Sequence, residues 1–370
     1  MSVMLSVMLL TKRMRLLSDI LLSIYLIISA IILVLAFFEI ENRASDYALP
    51  SLINSSTPFV LLLGPMLWMY VRSLVKKEFK LQLSYLFMLL PFLFVSTLLF
   101  ESNYSSPDEI RIALDRSESF KSGYQFPVIV VLIALSNFGY ALWALIDLKK
   151  FCRKIKGYFS QLEDIDLRWL SFIITLSLIC HTAISLLYTL DAIFHLMSYN
   201  TLQTIGFSIA STFVIVIGFF GLREGDLFAS KRRDPQFEVM NDPTKDNSKR
   251  QSELTDEEEL FIKEFINFME RDKPFLDPDL TLSKLAEKRS VSAEYLSHIL
   301  NNRLNSNFYD LINRYRVDEF KRLCKEPTRR NHTIIAIAYD SGFNSKATFN
   351  RVFKNVTGFT PSVYYRECCT

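Results

Sequence analysis

Apolar residues fall in long, nearly unbroken blocks through the first 222 positions, and beyond them at spaced, helical intervals. Six blocks stand out: Ile20 to Phe38, Leu52 to Val71, Leu83 to Phe100, Phe126 to Ile146, Trp169 to Leu190 and Leu202 to Leu222. Each approaches the roughly 20 residues that a helix needs to cross a hydrocarbon core of about 30 Å. The pattern therefore predicts about six transmembrane helices. The second block is the weakest, because Asn54, Ser55, Ser56 and Thr57 stand near its start. The opening stretch Met1 to Leu10 is apolar but too short to cross, and reads as an interfacial segment or an early-placed start. A cleaved signal peptide fits poorly: Lys12, Arg13 and Arg15 precede a run too long for an h-region, and no small-x-small site follows it.

Composition supports two regimes joined end to end. Half of the 370 residues are hydrophobic, too many for an ordinary soluble domain, yet 22% are charged, too many for an all-membrane chain. The net charge of +3 averages over both. Short loops rich in Lys and Arg stay in the cytoplasm, and here they alternate. Basic flanks hold Lys12, Arg13 and Arg15; then Arg72, Lys76, Lys77 and Lys80; then Lys149, Lys150, Arg153, Lys154, Lys156 and Arg168; then Arg223, Lys231, Arg232 and Arg233. The intervening loops hold Arg43, then Arg111, Arg116 and Lys121 among acidic residues, and none between Asp191 and Asn200. Six spans put every basic loop on one side. The expected location is a bacterial cytoplasmic membrane, crossed several times, with both termini in the cytoplasm. The longest external loop, about Glu101 to Gln125, leaves no room for a separate folded sensor.

Ionisable groups inside spans are costly and are candidate functional sites. His181 falls mid-span in the fifth block, with Asp191 and His195 near its outer end, a candidate intramembrane polar site. The plainer reading is a neutral His181 bonded to a neighbouring helix, with two interfacial residues beside it. Pro91 and Pro127 are expected to kink or cap helices, and Trp68, Tyr70, Trp143 and Trp169 to anchor span ends at the interface. Cys152, Cys180, Cys324, Cys368 and Cys369 suggest neither disulfides nor a metal cluster, and no metal or cofactor is expected.

Residues 223–252 have linker composition, with Pro235 and Pro243 among Lys, Arg, Asp, Asn and Ser. A second domain, 253–370, opens on a capping-box pattern at Thr255 to Glu258, followed by Leu260, Phe261, Phe265, Phe268 and Met269 at helical spacing. It carries one unit twice. Leu285 and Ala286 close a short helix, Ser290, Val291 and Ser292 make the turn, and Tyr295, Leu296, Ile299 and Leu300 line the next helix. About 52 residues on come Ile337 and Ala338, the turn Gly342 to Ser345, then Phe349, Val352, Phe353 and Val356. These are two helix-turn-helix units. Between them, Phe308 to Leu323 reads as one amphipathic helix that separates the heads. Residues 280–370 hold 15 Lys and Arg against 8 Asp and Glu, a positive footprint suited to DNA. A solvated helical bundle with ordinary surface charge is the bland alternative, and the doubled turn decides against it. The fold class is therefore all-α: an N-terminal membrane bundle over 1–222 and a C-terminal all-helical DNA-binding domain.

The run Ile334-Ile-Ala-Ile-Ala338, Gly342-Phe343, Phe349, Arg351, Phe353-Lys354, Gly358 and Thr360-Pro361 resembles the C-terminal signature of the AraC/XylS transcriptional regulators. Asn307 to Val317 is similar to the linker helix of that family, which has membrane-spanning members. The resemblance covers about residues 253–366. It implies recognition helices at Ala293 to Asn301 and Lys346 to Asn355, entering successive major grooves about 34 Å apart. It implies base-reading positions at Glu294, Ser297 and His298, then at Lys346, Ala347, Asn350 and Arg351, with a phosphate contact at Lys354. The chemistry agrees: Glu294 can accept from cytosine, Asn350 can pair with adenine, and Arg351 or Lys346 with guanine. Ser290 departs from the pattern, standing where the family usually has a turn glycine, so a strained left-handed residue or a loosened first unit is expected.

The expected function is membrane-anchored, sequence-specific regulation of transcription, in which a membrane or extracytoplasmic signal shifts the bundle and the linker and Thr255 helix carry the change to the DNA domain. The expected partners are double-stranded DNA, membrane lipids and an unidentified signal ligand or protein, with a homodimer open to it. The rival is a multi-pass receptor or transporter whose cytoplasmic helices bind a protein. A transporter's matching broken helices and midplane charges are sparse here. No catalytic constellation marks an enzyme: the chain has four His residues and no His-Glu-x-x-His run or phosphate-cradling glycine loop.

Overall fold

Helices follow the apolar blocks. The computed structural model describes residues 1–12, 15–76, 79–103, 105–160, 167–231, 256–329 and 331–368, the side chains of 101–103, 224–231 and 368 excepted. Arg13, Lys77, Arg232, Arg233, Thr255, Cys369 and most of the 223–252 linker lie outside the described residues. Among those described there is no β-strand, only an isolated antiparallel bridge between Phe159 and Thr281. The chain forms two units: Met1–Lys150 with Leu167–Ala229, and Phe151–Asp166 with Ser230–Thr370.

The first unit contains α1 (Ser2–Leu10), α2 (Leu17–Ala44), α3 (Thr57–Val60), α4 (Leu63–Val75), α5 (Leu90–Asn103), α6 (Asp108–Arg116), α7 (Gln125–Ile155) as far as Lys150, α8 (Arg168–Phe194) and α9 (Tyr199–Lys231) as far as Ala229. Six stretches are long and apolar enough to cross a membrane: Leu17–Ala44, Pro50–Val75, Leu83–Phe100, Gln125–Ile155, Arg168–Phe194 and Tyr199–Arg223. The second of these is broken. Pro50 opens a 3-10 turn, Asn54 is left-handed at φ 58°, and the helix resumes as α3 and α4, because Pro and the short polar side chains compete with helical hydrogen bonding. Pro91 and Pro127 sit in the first turns of α5 and α7, where a missing N–H costs nothing. Helix α1 packs on α2 through Ser6 and Ser23, whose hydroxyls bond each other's carbonyls at 3.4 and 3.3 Å, with Leu5 and Leu9 buried.

Trp68 and Tyr70 do not face outward as anchoring side chains would. Both are 1% exposed. Trp68 lies 4.5 Å from the ring of Trp143, and Arg72, which pairs with Asp147, caps the Trp68 ring at 4.6 Å. An interhelical ion pair and a cation–π contact draw the indole inward, whereas Trp143 remains exposed.

The second unit contains α10 (Asp256–Asp272), α11 (Leu282–Lys288), α12 (Ala293–His298), α13 (Phe308–Cys324), α14 (Ile334–Asp340), α15 (Lys346–Thr357) and α16 (Pro361–Cys368). It has two apolar cores. Phe265, Met269, Leu285 and Leu296 build the first, and Ile337, Phe343, Phe349 and Phe353 the second. Helix α13 serves both, giving Phe308 and Ile312 to one and Val317 and Phe320 to the other. Two residues assigned to apolar stripes face outward: Leu260 on α10 and Val356 on α15. Each lies at the end of its stripe, where the helix has passed beyond its core.

Arg316 on α13 is fully buried and holds the unit together by donating to the carbonyls of Phe275 and Asp277, both at 2.8 Å. Burial pushes its pKa down to about 10, so it stays charged at neutral pH. The segment Phe151–Ser160 belongs to this unit. Lys156 and Tyr158 carbonyls accept from the backbone N–H groups of Tyr309 and Leu282 at 3.0 Å. The Ser160 hydroxyl donates to Leu280 at 2.6 Å, and Asn313 donates to the Ser160 carbonyl at 3.1 Å.

Candidate nucleic-acid interface

Each head is built by the same local devices. Thr281 and Thr333 cap α11 and α14, accepting from the N–H groups of Lys284 and Ala336 at 3.3 and 3.2 Å. Ser292 and Ser345 cap the recognition helices, accepting from Tyr295 at 3.1 Å and from Ala347 at 3.2 Å. Such caps contribute on the order of 1 kcal/mol each and fix where the helix begins.

In the second head, α15 buries Thr348, Phe349, Val352 and Phe353 and exposes Lys346, Ala347, Asn350, Arg351 and Lys354. The exposed set recurs at helical spacing and forms one continuous outer face. Among the described residues no carboxylate pairs with Lys346, Arg351 or Lys354. Arg351 also donates to the Tyr309 hydroxyl at 3.5 Å, a long bond to a phenol whose pKa burial raises and Arg351 lowers. Gly358 ends the helix left-handed at φ 81°, its N–H on the Lys354 carbonyl.

The first head is different. Its α-helix spans only Ala293–His298 and continues as a π-helical turn over Ile299–Arg303, where an α-helix through Asn301 was expected. Glu294 is exposed; Ser297 and His298 are half-buried. Asn301 donates to the Ser297 carbonyl at 2.9 Å, and His298 shares a hydrogen bond of 2.8 Å with Asn302. Glu258 on α10 lies 3.8 Å from His298 and 2.7 Å from Arg303. The wider π turn carries Asn301 and Asn302 back onto the residues one turn earlier, so the outer face of this head is partly occupied by its own side chains.

The turns differ too. Ser290 is left-handed at φ 54°, as its sequence position anticipated. Gly342 is at φ 91°, and a Cβ there would stand 2.5 Å from the Phe275 carbonyl oxygen and 3.1 Å from Arg316 Nε. Glycine is required in the second turn by space as well as by conformation.

His181 is set apart from Asp191 and His195, which lie one turn apart at the end of α8, the His195 N–H on the Asp191 carbonyl at 2.8 Å. The His181 ring bonds the Ser177 carbonyl of its own helix at 2.8 Å, not a neighbouring helix. Asp191 is fully buried near the end of α8 and pairs with Lys121 at 2.8 Å. His195 is exposed and ends α8 in a left-handed conformation. The buried polar network at this end of the first unit is larger than the sequence suggested. Arg43 donates to Asp115 at 2.7 Å and to Gln203 at 2.6 Å; Glu39 accepts from the Ser56 N–H at 2.6 Å and from Gln203. Tyr47 donates to Asp115 at 2.9 Å. The available signal was the polar run Glu39 to Arg43 directly after an apolar block, matched by opposite charges within Glu101 to Gln125.

Comparison with known proteins agrees with this geometry. Residues 285–367 match a family model described as a helix-turn-helix domain. Uncharacterized HTH-type transcriptional regulators of Staphylococcus aureus strains COL and N315 are each 36% identical over 86 residues, 23% of this chain. The chain spans only 11% of the length of those relatives. A solved structure, of a protein of unknown function from Listeria innocua, is 28% identical over 28% of this chain and 94% of its own, with a TM-score of 0.25. By the family match, residues 285–367 carry a helix-turn-helix domain.

Proposed function

We propose that the protein is a membrane-anchored, sequence-specific DNA-binding regulator of transcription, acting by binding rather than by catalysis. The observation that carries this is the outer face of α15, where Lys346, Ala347, Asn350 and Arg351 stand clear on a helix seated by buried aromatics. Arg351 and Lys346 suit guanine, Asn350 suits adenine, and Lys354 suits a phosphate. Glu294, Ser297 and His298 form the corresponding set in the first head. The names of the staphylococcal relatives support the same class.

Anchoring is supported by the six apolar helical stretches, and cytoplasmic termini by the one-sided distribution of Lys and Arg. A signal reaching the bundle has a route to the DNA domain besides the linker: Lys156–Ser160, directly following α7, offers carbonyls that accept hydrogen bonds from Leu282 on α11 and from Tyr309 and Asn313 on α13. The signal must bind two states of the bundle with different affinity.

The test is selection of bound sequences from random duplexes by the full chain in lipid nanodiscs. The expected result is an enriched site spanning two successive major-groove segments, with affinity falling as salt rises. Failure to enrich any sequence at modest salt removes the reading and favours a protein-binding tail.

A further inference from the structure

The first unit contains a partly open cavity of about 400 Å³ that the DNA-binding role leaves unexplained. That volume lies within the range of small-molecule sites. Its walls are apolar, formed among others by Ile32, Ile129, Ile133, Ile184 and Phe207. Polar groups gather at one end, where Asn54, Arg111, Asp115, Tyr199 and Gln203 line it. The two charges there are already compensated, Arg111 by Asp108 and Asp115 by Arg43. A charged ligand would be buried beside groups whose counter-ions are taken, at a cost of several kcal/mol, so the site selects against net charge.

His181 also lines the cavity, seven residues along α8 from Tyr188, which lines it nearer the polar end. That separation corresponds to about 10 Å of helix. The Nδ1 of His181 faces the Ser177 carbonyl at 2.8 Å and must therefore donate to it. In the neutral ring this makes Nε2 an acceptor. The polar end is closed by α6 and the turn Ser119–Ser122, fastened by Asp115 to Arg43 on α2 and by Lys121 to Asp191 on α8. A ligand seated beneath this cap would touch the groups that hold it shut.

We propose that this cavity binds a neutral amphiphile, with an apolar body of about 10 Å and hydroxyl or amide groups able to donate to His181 and to bond Asn54 or Gln203. The proposal rests on reading the first unit as the sensing part of the protein, but its test does not pass through DNA. The probe is an octanol bearing a photoactivatable diazirine, added to the full chain in phosphatidylcholine nanodiscs, with attachment sites mapped by mass spectrometry. Light-dependent attachment is expected on α8 near His181 and Ile184 and on α9 near Gly206 and Ala210, and excess 1-octanol displaces it. The corresponding diazirine-bearing octanoate does not attach there. Ala210→Phe fills the cavity and is expected to cut attachment about tenfold, while labelling of the outward-facing Phe172 and Ile179 is unchanged. Attachment at the cavity that octanol fails to displace in the unaltered chain, or attachment confined to outward-facing residues, overturns the site. Either result leaves sequence-selective DNA binding by the same preparation untouched, so the two readings fail separately.

Discussion

The two heads of the C-terminal domain share a plan and differ in its execution. Both pair a capped seven-residue helix with a serine-capped recognition helix. The second recognition helix runs for 12 residues and exposes an unobstructed polar face; the first has six, turns π-helical and spends Asn301 and Asn302 on its own preceding turn. Electrostatics follow the same division. Glu258 stands against His298 and Arg303 in the first head, whereas no described carboxylate pairs with the cations of α15. A repeated sequence pattern thus guarantees a repeated scaffold without guaranteeing equal outer faces, because the scaffold depends on buried apolar positions and the outer face on what its exposed side chains are free to contact.

The turns offer the sharpest way to break that comparison. Gly342→Ala places a methyl group against the Phe275 carbonyl and Arg316, and is expected to destabilise the second head by about 3 kcal/mol through overpacking and left-handed strain. Faster amide hydrogen exchange in α14 and α15 of the full chain measures it. Next in size, Arg351→Ala is expected to weaken binding to a selected site by about 2 kcal/mol, and Glu294→Ala by less than half of that, on the usual scale for base contacts. Titration of each variant with one duplex separates them, and equal losses would erase the distinction between the heads. Ser290→Gly is expected to act in the opposite direction to Gly342→Ala, stabilising the first head by about 1 kcal/mol by releasing a left-handed serine; denaturant unfolding reports it. The smallest effect concerns pH. Hydrogen bonding from Arg322 holds the Glu319 carboxyl below its ordinary value of 4.5, with burial opposing and Lys273 assisting. A depressed carboxylate contributes stability above that ordinary value and loses it as pH falls through the folded one. Glu319→Gln is therefore expected to flatten the acid loss of stability by less than about 1 kcal/mol.

Much of this architecture was legible in the residues. Six apolar blocks of spanning length gave six helical stretches, since hydrocarbon thickness and helical rise together fix how many apolar residues must run in sequence. Leu285, Ala286, Ile337 and Ala338, buried in the structure, announced two helix-turn-helix units 52 residues apart. Ser290 was legible as a left-handed turn residue because position within the motif dictates φ. What escaped the sequence is non-local. Arg43 counted only as a loop charge until Asp115 and Gln203 were brought beside it, and Trp68 as an interface anchor until Trp143 and Arg72 enclosed it. Likewise, nothing in Tyr158, Phe159 or Ser160 signalled that they would pair with Thr281, Leu282 and Asn313 more than a hundred positions away. The π turn after His298 has no compositional mark either.

Hydroxyl-radical footprinting of the full chain on a selected duplex, with Arg351→Ala beside it, bears most directly on two unequal heads reading one face of DNA. The wild-type chain is expected to protect two backbone patches about one helical turn apart, and the variant to lose the patch beneath α15 while keeping the other. A single patch in the wild type, or a variant footprint indistinguishable from it, contradicts the assignment.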